Sequence, residues 1–145
     1  RFFREELQHT YRPGALEALE RHRTEGRRLV MLTSSSNYLA ELVAQELRFH
    51  SVLCNRLEVD SRTGAHTGNI VGGVCFGSGK LSYARAEAVS QGVALGSATF
   101  YTDSYSDLSV LEAVGEPVAV NPDLRLRRHA QRRGWPVVDW GAGTT

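Results

Sequence analysis

Apolar residues along this chain follow two alternating rhythms. Short apolar runs stand at Leu29-Val30-Met31-Leu32, Ser51 to Leu53, Ala98 to Thr102, Pro117 to Val120 and Pro136 to Trp140. The first is apolar on both faces and reads as a buried parallel strand. Between the runs, apolar positions recur at helical spacing. Ala15, Leu16 and Leu19 follow Pro13, which is tolerated in a first helical turn, and Gly26 ends that helix. Leu39, Leu42, Val43 and Leu47 give an inward face to a helix over Asn37 to Leu47. Further helices are predicted from Leu81 to about Gln91, through Leu108, Leu111 and Val114, and from Asn121-Pro122-Asp123 to near Gly134. Phe2 to Gln8 reads as the end of a helix that starts upstream, and the tail from Gly141 to Thr145 reads as loose.

The segment from Asn55 to Gly79 differs. Leu57-Glu58-Val59 alternates, Ser61-Arg62-Thr63-Gly64 has turn chemistry, and His66 to Val71 resumes the alternation, which predicts an antiparallel hairpin insertion. Gly72, Gly73, Gly77 and Gly79 then form an approach to Lys80. Strands alternating with helices imply an α/β fold, with a mainly parallel sheet, helices on both faces and right-handed connections.

Composition narrows the classes. With 145 residues, 41% hydrophobic and 23% charged, the chain suits one domain with a sizeable core. A net charge of +1 gives no global attraction to nucleic acid or membrane, and no apolar run approaches the roughly 20 residues that span a bilayer. Arg125, Arg127, Arg128, Arg132 and Arg133 lie on one predicted helix, where a solvated face is favoured over nucleic-acid contact. Cys54 and Cys75 lack metal spacing and read as buried reduced thiols, which fits the cytoplasm. The first residue is not Met and the N-terminus has no signal-peptide core, so the sequence is expected to begin inside a longer chain.

Three strand or loop ends carry candidate chemistry. Thr33-Ser34-Ser35-Ser36 follows the first strand, where a hydroxyl beside the amides of a following helix holds a phosphate oxygen or simply caps the helix. Lys80 is a point charge for a phosphate or a carboxylate, or a solvated lysine. Asp103 and Asp107 sit four residues apart at the carboxyl end of a strand, where ligands bind in open α/β sheets. Paired carboxylates suit a hard cation such as Mg2+; the alternative is an N-cap at Ser106 with Asp107 favouring the helix dipole.

Taken in order, hydroxyl, lysine and acidic pair, these features resemble the second, third and fourth motifs of the haloacid dehalogenase (HAD) superfamily of phosphohydrolases. The similarity is greatest to its phosphoserine-phosphatase-like subfamily, IB. It is carried by Asn55-Arg56-Leu57-Glu58-Val59 through Thr67-Gly68-Asn69-Ile70 to Gly79-Lys80, and by Tyr101-Thr102-Asp103-Ser104-Tyr105-Ser106-Asp107-Leu108 through Leu111-Glu112-Ala113-Val114-Gly115 to Val118-Ala119-Val120-Asn121-Pro122. The resemblance implies a three-layer Rossmann-like core over 13–140, a remnant of a helical cap at 1–12, and a small phosphorylated substrate such as phosphoserine. It also implies roles. Thr33, with the backbone at Ser34, would bind the phosphoryl group, and Lys80 would neutralise charge on it and on the nucleophile. Asp103 would ligate Mg2+ directly or through water, and Asp107 would support that site or complete the coordination.

The family's first motif, Asp-x-Asp just after the first strand, supplies the nucleophile and the general acid/base. The aspartates here are Asp60, Asp103, Asp107, Asp123 and Asp139, and no two are two residues apart. In the family fold the first strand lies between the strands ending at Thr33 and Thr102, so its absence, with most of the helical cap, is expected to leave a gap in the sheet. The chain is therefore expected to be the C-terminal part of a longer enzyme, or to have the gap filled by an N-terminal fragment or a second copy. The competing reading is a non-catalytic phosphate- and metal-binding module. Trp135 and Trp140 are expected to pack the core edge, Tyr101 and Tyr105 to pack, and His66 and His129 to lie on the surface.

Overall fold

The computed structural model describes residues 11–141. The expected helix remnant at Phe2 to Gln8 and most of the tail lie outside the described residues. Helix α1 (Pro13–Thr24) begins on its proline, and Gly26 follows its end with φ of 75°. Strand β1 is Val30–Ser36 and helix α2 is Asn37–Leu47. The inward face of α2 differs from the expected one. Ala40 and Ala44 are its buried residues, whereas Leu39 and Leu42 are 39% and 48% exposed. Small side chains one turn apart let the helix lie close on the sheet, which turns the leucines to its flank.

Strand β2 (Ser51–Val59) is one continuous strand where two were expected. Its first half pairs parallel with β1, Val30 opposite Ser51 and Leu32 opposite Leu53. Its second half pairs antiparallel with β3 (His66–Val71), Leu57 opposite Ile70. The strand thus passes from sheet to hairpin without a break. The turn is held by Asp60, whose Oδ1 accepts from the Arg62 amide at 2.7 Å. Helix α3 is Ser78–Gln91, so Lys80 lies inside its first turn, not ahead of it. Strand β4 (Thr99–Thr102), a 3-10 turn at Tyr105–Asp107, helix α4 (Leu108–Ala113), strand β5 (Glu116–Val120), helix α5 (Leu124–Arg133) and strand β6 (Val137–Val138) complete the order.

The strands form two three-stranded sheets, β1-β2-β3 and β4-β5-β6, and the break between them falls between the strands ending at Thr33 and Thr102, where the gap was expected. The second is parallel throughout. Its core is Leu111, Ala119, Leu126 and Ala130, with Phe100, Tyr105, Trp135 and Val137 packed against it. The facing edges of β1 and β4 are not paired with each other. Between them runs a groove of about 570 Å3, lined by Val30, Met31 and Leu32 on one wall and Thr99, Phe100 and Tyr101 on the other. Ala15, Ala18 and Leu19 of α1 also line it. Polar contacts cross from α1 and the segment after it to both sheets' flanks. The Arg23 guanidinium donates to the Leu47 carbonyl at 2.8 Å, His22 Nε2 lies 2.6 Å from Tyr101 Oη, and Arg27 donates to Thr99 Oγ1 at 2.9 Å.

Leu126 has no exposed surface. Leu126→Ala is expected to cost about 2–5 kcal/mol, read as a lowered urea midpoint with an unchanged slope.

Candidate active site

Strand β4 delivers the acidic turn, and its last residue organises it. Thr102 Oγ1 donates to Asp107 Oδ2 at 2.6 Å and accepts from the Ser104 amide at 3.2 Å. The cap of the turn is Ser104, whose Oγ accepts from the Ser106 amide, rather than Ser106 as in the capping alternative, and Asp107 makes no capping bond. Asp107 instead turns inward. It is 4% exposed, and its Oδ1 lies 2.8 Å from Lys80 Nζ, itself on a residue only 7% exposed. The contact is an ion pair lying off the ideal hydrogen-bonding directions. Burying either charge alone would be costly, so each accounts for the other.

Lys80 is brought there by the glycine approach. A Cβ at Gly79 would lie 2.1 Å from the Val74 carbonyl oxygen, so this close fold of the loop requires glycine. Gly77, ahead of α3, has φ of 54°, and the Ser109 hydroxyl of α4 reaches its carbonyl at 3.5 Å. The lysine loop and the acidic turn therefore rest on each other.

Thr33 and Ser34 lie near the end of β1. Thr33 Oγ1 accepts from the Ser35 amide at 3.1 Å. Sequence reasoning missed the residue that joins this end to the lysine loop. Asn55, buried in β2, donates through Nδ2 to the Ser34 carbonyl at 2.7 Å and accepts through Oδ1 from the Cys75 amide at 2.7 Å. The available signal was an asparagine within an apolar strand, where it is disfavoured unless its amide is bonded. Cys75 is fully buried between these groups. Burial pushes its thiol up; the Lys80 charge and a bond from the Thr33 backbone oppose that. Burial also pushes up Cys54, and both cysteines are free.

The structure thus brings Thr33, Lys80 and Asp107 into one neighbourhood around Cys75. Asp103 makes no bond to any of these groups. Its side chain is exposed and has no bonding partner among the described residues. Among those residues no group of three or more His, Cys, Asp or Glu side chains gathers to hold a metal. The donor set therefore fits Mg2+ in part. Asp103 is a free hard-oxygen donor, both Asp107 oxygens are engaged, and Mg2+ ordinarily takes one or two carboxylates with water and substrate phosphate.

On α5, Arg125 stacks over Tyr105 at 4.1 Å and Arg133 over Trp135 at 5.2 Å, while Arg127, Arg128 and Arg132 are exposed. His129, expected at the surface, is wedged between Tyr105 and Trp135, with ring centroids at 6.0 and 5.2 Å. It faces Glu112 at 3.7 Å. Its aromatic neighbours come from the 3-10 turn after β4 and from the segment following α5. His66 is exposed, in edge contact with Tyr38.

Asp107→Ala would leave the Lys80 ammonium buried without its counter-charge. A loss of about 3–5 kcal/mol is expected in urea unfolding, and the double variant Lys80→Met/Asp107→Leu should recover most of it.

Comparison with known proteins adds an independent result. The chain matches the haloacid dehalogenase-like hydrolase family model over residues 1–112. It is 36% identical to phosphoserine phosphatase SerB1 of Mycobacterium tuberculosis over 127 residues, covering 88% of this chain and 41% of that protein. It is 31% identical to a histidinol-phosphatase of Neisseria meningitidis, covering 84% of this chain and 56% of that protein. The chain therefore spans about half the length of these curated relatives. Among solved structures, a Bordetella pertussis protein of unknown function superposes with a TM-score of 0.82 at 30% identity, covering 88% of this chain and 58% of that one. A phosphoserine phosphatase holding an analogue of its phospho-aspartyl intermediate superposes with a TM-score of 0.70 at 19% identity, covering 92% and 60%, which is a likeness of fold. With the ordered hydroxyl, lysine and acidic turn in place, the chain belongs to the haloacid dehalogenase-like hydrolases.

Proposed function

We propose that this chain forms the phosphate-holding part of a Mg2+-dependent phosphomonoesterase acting through an aspartyl-phosphate, with a strand outside 13–140 supplying the nucleophile. The observation that carries the reading is the groove between β1 and β4. One wall leads to Thr33 and Ser34 at the carboxyl end of β1, and the other to Thr102 and Asp103 at the carboxyl end of β4. An extended apolar segment laid there would pair with two edges that no described strand occupies, and would bring a carboxylate at its end among Thr33, Lys80 and Asp103.

The residues of this chain would then divide the work. Thr33 Oγ1 and the amide at Ser34 orient the phosphoryl oxygens. Lys80 neutralises charge on the phosphoryl group and on the attacking carboxylate, which otherwise repel. Asp107 holds the ammonium in place from the side away from substrate, the supporting role among those open to it. Asp103 contributes a free carboxylate to Mg2+, which when bound supplies charge stabilisation at the phosphoryl oxygens. The substrate class is a small phosphate monoester. Phosphoserine and histidinol phosphate, named in two of the relatives, share that group. A cytoplasmic location belongs to the same proposal and rests on the reduced thiols.

Phosphate release from phosphoserine and from an unselective aryl phosphate is expected only when the chain is extended upstream through the strand. No release with either form would favour the non-catalytic binding module. In the extended protein, Asp103→Asn is expected to abolish Mg2+-dependent turnover with an unchanged circular dichroism spectrum. Turnover retained in that variant would overturn the assignment of Asp103.

A further inference from the structure

The free carboxylate of Asp103 has no side-chain contact to aim it, so its direction is set by the backbone on either side. Each of residues 103–105 makes a backbone bond outward. The Ser104 amide goes to Thr102 Oγ1 at 3.2 Å. The other two converge on one residue. The Asp103 carbonyl accepts from the Asp123 amide at 3.0 Å, and the Tyr105 amide donates to Asp123 Oδ2 at 2.8 Å. The second carboxylate oxygen of Asp123, Oδ1, accepts from the Leu126 amide at 2.8 Å and caps α5. One exposed aspartate thus fastens the acidic turn to the start of a helix. Arg125, two residues on, covers the Tyr105 ring, and His129 meets that ring edge-on.

We infer that Asp123 is a positioning residue for the cation site. It presets the conformation of residues 103–105 so that Asp103 meets the ion without rearranging, and α5 is the anchor of the turn. This rests on the proposed role of Asp103 as a Mg2+ ligand. The physical ground is that a short loop bearing a single free donor loses affinity in proportion to the ordering it must undergo on binding. Capping alone would not require the arrangement, since an N-cap uses one oxygen. The second oxygen and the Asp123 amide are both spent on the turn.

Two substitutions separate capping from positioning. In Asp123→Ser, a hydroxyl can still cap α5 but has no second oxygen for the Tyr105 amide. Asp123→Ala loses both bonds. In the full-length protein, both variants are expected to weaken Mn2+ binding, followed by electron paramagnetic resonance, by about tenfold, while Ser retains more of the wild-type thermal midpoint than Ala. Amide exchange at Tyr105 in metal-free protein should quicken about tenfold or more in both. Mn2+ affinity and Tyr105 protection in Asp123→Ser equal to wild type would overturn the inference and leave Asp123 a cap. A wild-type protein that binds no divalent cation would overturn the phosphatase reading instead, and the Tyr105 exchange comparison would still decide whether Asp123 holds the turn.

Discussion

The buried pair of Lys80 and Asp107 is the constraint on which the site depends. A lysine that is 7% exposed and an aspartate that is 4% exposed can be tolerated only together. Their elements come from different parts of the chain. Lys80 arrives from the hairpin side through α3, and Asp107 follows strand β4 of the other sheet. The pair therefore ties the two sheets at the end where the candidate chemistry lies. It also divides the carboxylates of the acidic turn. Asp107 is consumed by Lys80 and Thr102, and Asp103 is left free.

The polar scaffold around the pair is made of short, hydrogen-bonded side chains. Asn55 joins the serine end of β1 to the loop before Lys80, and Thr102 closes the acidic turn on itself. Such groups are buried or half-buried, so each must find its partner or destabilise the fold. That requirement makes them positioning devices as well as structural ones. Opposite them, the groove between β1 and β4 leaves two strand edges without a partner among the described residues, a condition that proteins ordinarily avoid. The strand proposed above would pair with both edges and end among Thr33, Lys80 and Asp103.

Much of the fold was legible in the sequence, because helical periodicity and strand-length apolar runs are local signals. The helix over Asn37–Leu47, the hairpin turn and the helix starting at Asn121-Pro122-Asp123 are examples. The failures share a cause. Periodicity places the leucines of α2 inward, but it reports a face and not how closely that face can approach a sheet, which Ala40 and Ala44 decide. Strand β2 was split because its polar residues, Asn55 and Arg56, interrupt the apolar run; Asn55 is buried by hydrogen bonds that only tertiary contact supplies. At the site, Thr33, Lys80 and the acidic turn were visible as residue types in order. The separate duties of Asp103 and Asp107 were not, since spacing cannot say which carboxylate a distant lysine takes.

The central claim is that phosphate is held jointly by the end of β1 and the first turn of α3, beside the acidic turn. The most direct measurement is a titration of the full-length protein with inorganic phosphate and Mg2+, followed by backbone amide resonances. The account predicts saturable shifts at Ser34, Lys80 and Asp103, with a common midpoint. Shifts confined to the arginine-bearing helix α5, with those amides unmoved, would contradict it.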